Sequence, residues 1–190
     1  MKRRALIISL VMSVLLLAAA VAAYSKDDRL TVTQNESSME QTIERYLKTT
    51  HELFIDEKTG EKDDLFLELG FKGDDPMPPF RIVIDTQPLN KDKDNNKVIE
   101  RGISIDLYTD VRVPKEKLPK ALEVINDWNR QKYFSSVYVD TDGEVVFSWT
   151  LNVLEQGLAT ENVFDALARV QNNWQGLYPV LSPEKLVESK

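Results

Sequence analysis

A strand, a turn and a second strand are encoded by residues 137–149, which read Val137-Tyr138-Val139-Asp140-Thr141-Asp142-Gly143-Glu144-Val145-Val146-Phe147-Ser148-Trp149. Apolar side chains recur at every second position on both sides of the turn, which is typical of strands with one buried face. A two-residue turn at Asp142-Gly143 would separate the apolar faces of the two strands. A three-residue loop of Thr141, Asp142 and Gly143, with Gly143 at positive φ, places both apolar faces on the same side of the sheet. We therefore predict that loop, with Gly143 in a structural role.

Hydrophobic periodicity predicts the order α-β-β-β-α-β-β-α for the rest of the domain. The predicted helices begin near Ser37, Leu118 and Thr160, and the predicted strands lie near residues 65–71, 80–84, 103–107, 134–140 and 145–154. The first helix is expected to carry Met39, Ile43, Tyr46, Leu47 and Phe54 on its apolar side, and a capping box starting at Ser37 or Ser38 is expected to begin it. Residues 56–60 are interpreted as a turn, residues 87–97 as a charged loop, and Pro179 as a residue that helps to end the last helix.

Short connections between the strands favour an α+β two-layer sandwich with a largely antiparallel five-stranded sheet and three helices. Each predicted strand has one apolar face and one mixed face, so we expect helices on one side of the sheet only. Alternation then places a set of apolar and aromatic residues on the open side, which we interpret as an interaction face: Phe66, Val83, Tyr108, Tyr138 and Val146.

The N-terminus has the layout of an export signal. Lys2-Arg3-Arg4 precedes an apolar run from Ala5 to Ala23, and small residues end it. We expect a signal peptide over residues 1–23, a flexible leader over residues 24–36, a domain over residues 37–181 and a C-terminal tail over residues 182–190. The mature protein is expected in the periplasm or outside the cell, and the alternative is an uncleaved anchor in the inner membrane that faces the periplasm.

Composition excludes several classes of protein. The chain contains no cysteine, so it has no disulfide framework, thiolate metal site or cysteine nucleophile. It carries 24 basic and 31 acidic residues, and removal of Lys2, Arg3 and Arg4 leaves 21 basic against 31 acidic. Such an acidic protein is a poor partner for nucleic acid or anionic lipid.

No residue pattern predicts a catalytic, metal or cofactor site. Asp140 to Glu144 has alternating oxygen donors and a glycine, but it supplies too few ligands for calcium and runs directly into a strand. His51 is the only histidine, so we interpret it as a surface residue. Dispersed carboxylates that converge in space would still allow an enzyme.

The second helix ends with Asn126, Trp128 and Asn129. Asparagine has a low helix propensity, so the two amides are expected to have a specific role. We predict a structural role for all three residues, with the amides capping the helix or bonding a neighbouring backbone. Contact with a ligand is the alternative.

Leu118 to Asn129, followed by Tyr138 to Val145, resembles the YbjN domain family, in which a helix ending in Asn-x-x-Asn precedes a strand, an Asp-Gly turn and a longer strand. The resemblance is clearest over residues 118–177. It implies a fold similar to type III secretion chaperones, a description as sensory transduction regulators, and no established catalytic residues. The export signal and the longer loop at residues 87–97 depart from the family's pattern.

Together these observations predict an exported, non-enzymatic module of the bacterial envelope that binds a protein partner or associates with itself, without a cofactor. A small hydrolase or metal-dependent enzyme is one alternative. A chaperone-like protein that holds unfolded envelope clients is the other.

Overall fold

The computed structural model describes residues 29–59, 65–72, 77–132, 135–183 and 185–189. The predicted signal peptide and the first five residues of the predicted leader lie outside these ranges. Along the described chain, no helix is both long enough and apolar enough to cross a membrane.

Three long helices are present: α1 (Glu36–His51), α2 (Leu118–Gln131) and α3 (Glu161–Leu181). A single 3₁₀ turn at Lys115–Lys117 leads into α2, and Pro119 lies in the first turn of that helix, as predicted. The predicted capping box is wrong, because the side chain of Asn35 caps α1 and accepts a 2.8 Å hydrogen bond from the Ser38 N–H.

The ends of α1 and α3 also differ from prediction. α1 ends at His51 because Glu52 adopts a left-handed conformation (φ 54°), which leaves Phe54 outside the helix and 83% exposed rather than on the apolar face. α3 continues through Pro179 to Leu181, although proline removes one helical hydrogen bond. Leu177 and Leu181 are both buried, so packing of the last turn against the core offsets that loss.

All described strand pairs are antiparallel. The strands are β1 (Arg29–Leu30), β2 (Asp56–Thr59), β3 (Leu65–Phe71), β4 (Phe80–Lys91), β5 (Val98–Arg112), β6 (Ser136–Val139), β7 (Glu144–Val153), β8 (Leu158–Ala159) and β9 (Glu188–Ser189). The main sheet has the order β2-β3-β4-β5-β7-β6, β9 pairs with β5, and β1 and β8 form a separate pair. The five predicted strands correspond to β3 to β7, which are adjacent in the main sheet, and the predicted α+β fold class is confirmed.

Two predicted loops are instead mostly strand. Residues 56–59 form β2 and pair with β3, where a turn was predicted. The predicted loop at residues 87–97 shrinks to residues 92–97, because β4 continues to Lys91 with an irregular register after Pro88. The pairing of β3 with β4 ends at Ile84, so beyond this residue one side of β4 has no partner among the described strands. Pro88 lies in that unpaired part, where a proline is tolerated.

The folded part is longer at both ends than the predicted domain. Residues 29–36 were assigned to the flexible leader, but Leu30 is fully buried and β1 pairs with β8. The buried Arg101 holds this segment, since its Nε donates to the Val32 carbonyl over 3.2 Å. At the other end Leu186 is buried and β9 pairs with β5, so the predicted tail packs on the domain.

The hairpin from β6 to β7 has the predicted loop. Gly143 has φ 85°, and the Asp140 N–H donates to the Glu144 carbonyl over 2.9 Å, which closes a three-residue loop. Val137 pairs with Phe147 and Val139 with Val145, so these valines share one face. That face packs on the helices, where Phe147 meets Trp174 edge to face with 5.9 Å between ring centroids.

Candidate protein-interaction face

The candidate site is the outer face, which we define as the side of the main sheet directed away from the helices. Burial alternates along β4 and β5, with the buried residues on the helix side, so only one face of the sheet is covered. The register then places the predicted interaction residues in rows that cross the strands. The rows, rather than the separate strands, define what a partner would meet.

Three of the predicted residues form one row. Tyr108 of β5 pairs with Val146 of β7, and Val146 pairs with Tyr138 of β6. Val83 lies in the next row, where it pairs with Asp106. Phe66 lies on β3, four strands from Tyr138 and thus at least about 19 Å away at the usual strand spacing. Tyr108, Val146 and Tyr138 therefore form a compact group on the outer face, and Phe66 lies on that face but outside the group.

Val146 is directed outward as predicted, yet none of its surface is exposed. The residues beside it in the row are the two tyrosines, of which Tyr138 is 42% exposed and Tyr108 is half-buried. We attribute the burial of the valine to these two rings, because aromatic side chains reach across neighbouring strands. The result is a small apolar centre with phenol groups at its surface. We call these three residues, Tyr108, Val146 and Tyr138, the tyrosine row.

Arg81 extends the tyrosine row on β4. It pairs with Tyr108 in the register, and its guanidinium lies 4.7 Å from the centre of the Tyr108 ring. An ion pair of 3.4 Å joins it to Glu68, and because both side chains are partly exposed this pair contributes little stability. The stacking of the cation on the ring is the more specific contact. Arg81 was not among the predicted site residues.

Both phenols have raised pKa values. Burial is the main cause for Tyr108, followed by the negative charge of Asp106, while Arg81 acts in the opposite direction on the pKa. For Tyr138, burial again has the largest effect on the pKa, followed by Asp106 and Tyr108. Both hydroxyl groups therefore keep their protons at neutral pH and can donate hydrogen bonds. In the register Asp106 lies one row from the Tyr108 row, two residues before Tyr108 on β5.

The asparagines at the end of α2 differ in their surroundings. Asn129 reaches β6, where its amide donates to the Val137 carbonyl over 2.8 Å and accepts from the Val137 N–H over 2.9 Å. Asn126 is exposed. Trp128 packs so closely on α3 that a Cβ at Gly176 would lie 2.8 Å from its ring. Asn129 and Trp128 thus hold α2 against β6 and α3.

The Asp140 loop uses its carboxylate within the hairpin. Asp140 Oδ1 accepts from the N–H groups of Asp142 and Glu144, over 2.9 and 2.8 Å. This is the hydrogen bonding of an Asx turn. Among the described residues, no group of three or more histidine and carboxylate side chains could hold a metal ion. His51 is half-buried, its ring stacks on Phe164, and it lies 3.4 Å from the Tyr46 hydroxyl, so it is less exposed than predicted.

Comparisons with known proteins agree with the fold. Residues 99–182, somewhat less than half of the chain, match the YbjN family, described as "Putative bacterial sensory transduction regulator". No curated protein sequence is significantly similar to the chain. The chain is similar to a solved structure, "Crystal structure of YbjN, a putative transcription regulator from E. coli", with a TM-score of 0.50 and 12% sequence identity, over 78% of this chain and 94% of that one. At this identity the likeness shows the fold alone. The predicted resemblance to the YbjN family is thus confirmed, and it extends from most of β5 through α3.

Proposed function

We propose that the chain is an exported, non-enzymatic module of the bacterial envelope that binds a protein through its outer face. The observation that carries the proposal is the tyrosine row, in which Tyr108 and Tyr138 enclose Val146 on the side of the sheet without helices. Tyrosine is enriched in interfaces because its ring is apolar and its hydroxyl can keep a hydrogen bond. The description of the YbjN family as regulators supports binding rather than catalysis.

The surroundings of the tyrosine row also favour a protein partner. Asp106 and Ser148 lie beside it in the register, and the hydroxyl of Ser104, one row further along, donates to Asp106 over 2.7 Å. A small apolar centre inside a polar rim is the usual anatomy of a protein interface. Rings that are only partly exposed also lose less freedom on binding than flexible side chains would.

Export is proposed from the sequence alone. Lys2, Arg3 and Arg4 before an apolar run support translocation by a signal peptide. We expect the mature protein to begin at Ala23 or Tyr24 and to be found in the periplasmic fraction. N-terminal sequencing after fractionation tests this, and recovery of an intact Met1 from the inner-membrane fraction would establish the anchored alternative. Recovery from the cytoplasm would contradict export in both forms.

The double variant Tyr108→Lys with Tyr138→Lys tests the face. It should fold, with a loss of about 1 to 2 kcal/mol in the free energy of unfolding, because the rings are partly exposed but also cover Val146. Binding to the partner should be lost. Phe54→Lys is the matched control, since Phe54 is an exposed aromatic residue outside the outer face, and we expect it to keep binding.

The partner is detected with a photo-crosslinking phenylalanine analogue at position 138 in living cells, with position 54 as the control. A discrete adduct that forms only from position 138 is the expected result. If the double variant folds and still captures its partner in envelope extracts, the outer face is not the binding site. A broad set of adducts with many clients would instead support the chaperone-like alternative.

A further inference from the structure

The outer face carries an excess of negative charge around the tyrosine row. From β3 to β6, the three rows that contain Tyr108, Asp106 and Ser104 include three acidic residues and one basic residue, which are Glu68, Asp85, Asp106 and Arg81. On β2 the pairing adds Asp56 beside Glu68 and Lys58 beside Phe66, two charges that cancel. The net charge of these rows is therefore −2, and Arg81 already contacts both Glu68 and Tyr108. A partner that brings positive charge would match this face, and one that brings negative charge would not.

The face itself shows how it accommodates a cation. The Arg81 guanidinium stacks on Tyr108, where the negative face of the aromatic ring attracts it. Tyr138 offers a second ring of the same kind on the other side of Val146. Tyr138 is 42% exposed, and within the described ranges no arginine or lysine lies over its ring. The ring is thus open to a cation from outside this domain.

We infer that the partner places a lysine or arginine side chain on the ring of Tyr138, beside Asp106, with apolar atoms over the tyrosine row. This inference rests on the proposed function, because it names the chemistry of the partner at the same face. The register supports the role of Asp106, because its partner Ser148 lies two residues after Val146 on the same face of β7, and its charge also raises the pKa of both phenols.

A second copy of the chain is the less suitable occupant of this face. Two copies that meet through their outer faces would bring together two surfaces of net charge −2 each. The whole chain also has a net charge of −7, so repulsion continues beyond the contact. A basic segment of another protein would be attracted both by the outer face and by the rest of the chain.

Direct binding of synthetic peptides tests the inference on the purified domain. The probes are two fluorescent hexapeptides, one alternating lysine with leucine and one alternating glutamate with leucine, and binding is measured by fluorescence anisotropy. We expect the lysine peptide to bind at least tenfold more tightly than the glutamate peptide. Tyr138→Leu and Asp106→Asn should each weaken the lysine peptide at least fivefold, whereas Tyr138→Phe, which keeps the ring, should retain most of the affinity.

The matched control is Asp94→Asn, which removes the same charge in the exposed loop between β4 and β5. If Asp94→Asn weakens the lysine peptide as much as Asp106→Asn does, attraction is general and the inference is wrong. Equal binding of both peptides would also overturn it. Sedimentation that shows a dimer lost in Tyr138→Leu would identify a second copy as the occupant.

Crosslinking separates this inference from the proposed function. If the adduct at position 138 joins a partner segment with a lysine or arginine at the contact, both stand. If the segment has no basic residue, the proposed function stands and the inference fails. If position 138 forms no discrete adduct while the peptide still binds, the cation site is present, but the proposed protein partner is not.

Discussion

Replacing Val146 with aspartate is expected to lower the free energy of unfolding by about 3 kcal/mol or more, because the new carboxylate would be buried without a partner. Val146 is fully shielded between Tyr108 and Tyr138, and Asp106 lies nearby. The variant must therefore either bury a charge beside another negative charge or displace the two rings. Denaturant unfolding followed by circular dichroism measures the difference from the wild-type protein.

Thr150→Asp is the control for this prediction. Thr150 lies on the same strand and the same face as Val146, but it is exposed. We expect a change of about 1 kcal/mol or less, the usual range for a surface position. If the two aspartate variants were equally stable, Val146 would not be covered in solution, and the tyrosine row would have no apolar centre.

Val146 also shows which properties of the candidate site can be predicted from the sequence and which cannot. Alternation predicts correctly which way the side chain is directed, because that depends only on strand period and on the length of the Asp140 loop. Burial depends on the two strands on either side, whose register places Tyr108 and Tyr138 beside the valine. Residues 108 and 138 are separated by the whole of α2, so no local pattern brings them together.

The same reason explains why Arg81 and Asp106 were missed. Each is an isolated charge in a strand with alternating polarity, a pattern that is typical of a solvated face. The role proposed for each depends on a residue of another strand, which is Tyr108 of β5 for Arg81 and Tyr138 of β6 for Asp106. The sequence predicts the order of these strands, but the order alone does not give their register. The register of β5 with β7 also depends on an irregularity after Tyr108, which no local pattern predicts.

The ends of the domain are a different case. Residues 29–36 and 182–189 lack periodicity, so the sequence favoured a leader and a tail. In the structure a few buried apolar residues hold each end, Leu30 and Val32 at the first and Leu186 at the second, and the backbone forms two-residue strand pairs. One or two buried side chains in a short polar segment give too little periodicity to detect. Packing against distant elements decides the outcome.

Asn129→Ala is expected to lower the free energy of unfolding by about 1 to 3 kcal/mol, the range for leaving a partly buried polar group without its partner. One amide side chain satisfies both the N–H and the carbonyl of Val137. Alanine removes both hydrogen bonds at once. Asn129→Asp should keep the bond from the Val137 N–H and lose the one to its carbonyl, so we expect it to be destabilised as well. The midpoint of urea unfolding measures each loss.

Asn126→Ala is the matched control, because Asn126 lies on the same helix but is exposed. We expect it to keep its stability or gain slightly, since alanine has the higher helix propensity. β6 is the last strand of the main sheet, and Asn129 occupies the two backbone groups that Val137 would otherwise present to another chain. Loss of the amide should therefore also increase concentration-dependent association, measured by light scattering. If Asn129→Ala unfolds like the wild-type protein and only loses its partner, the asparagine is a binding residue rather than the structural link between α2 and β6.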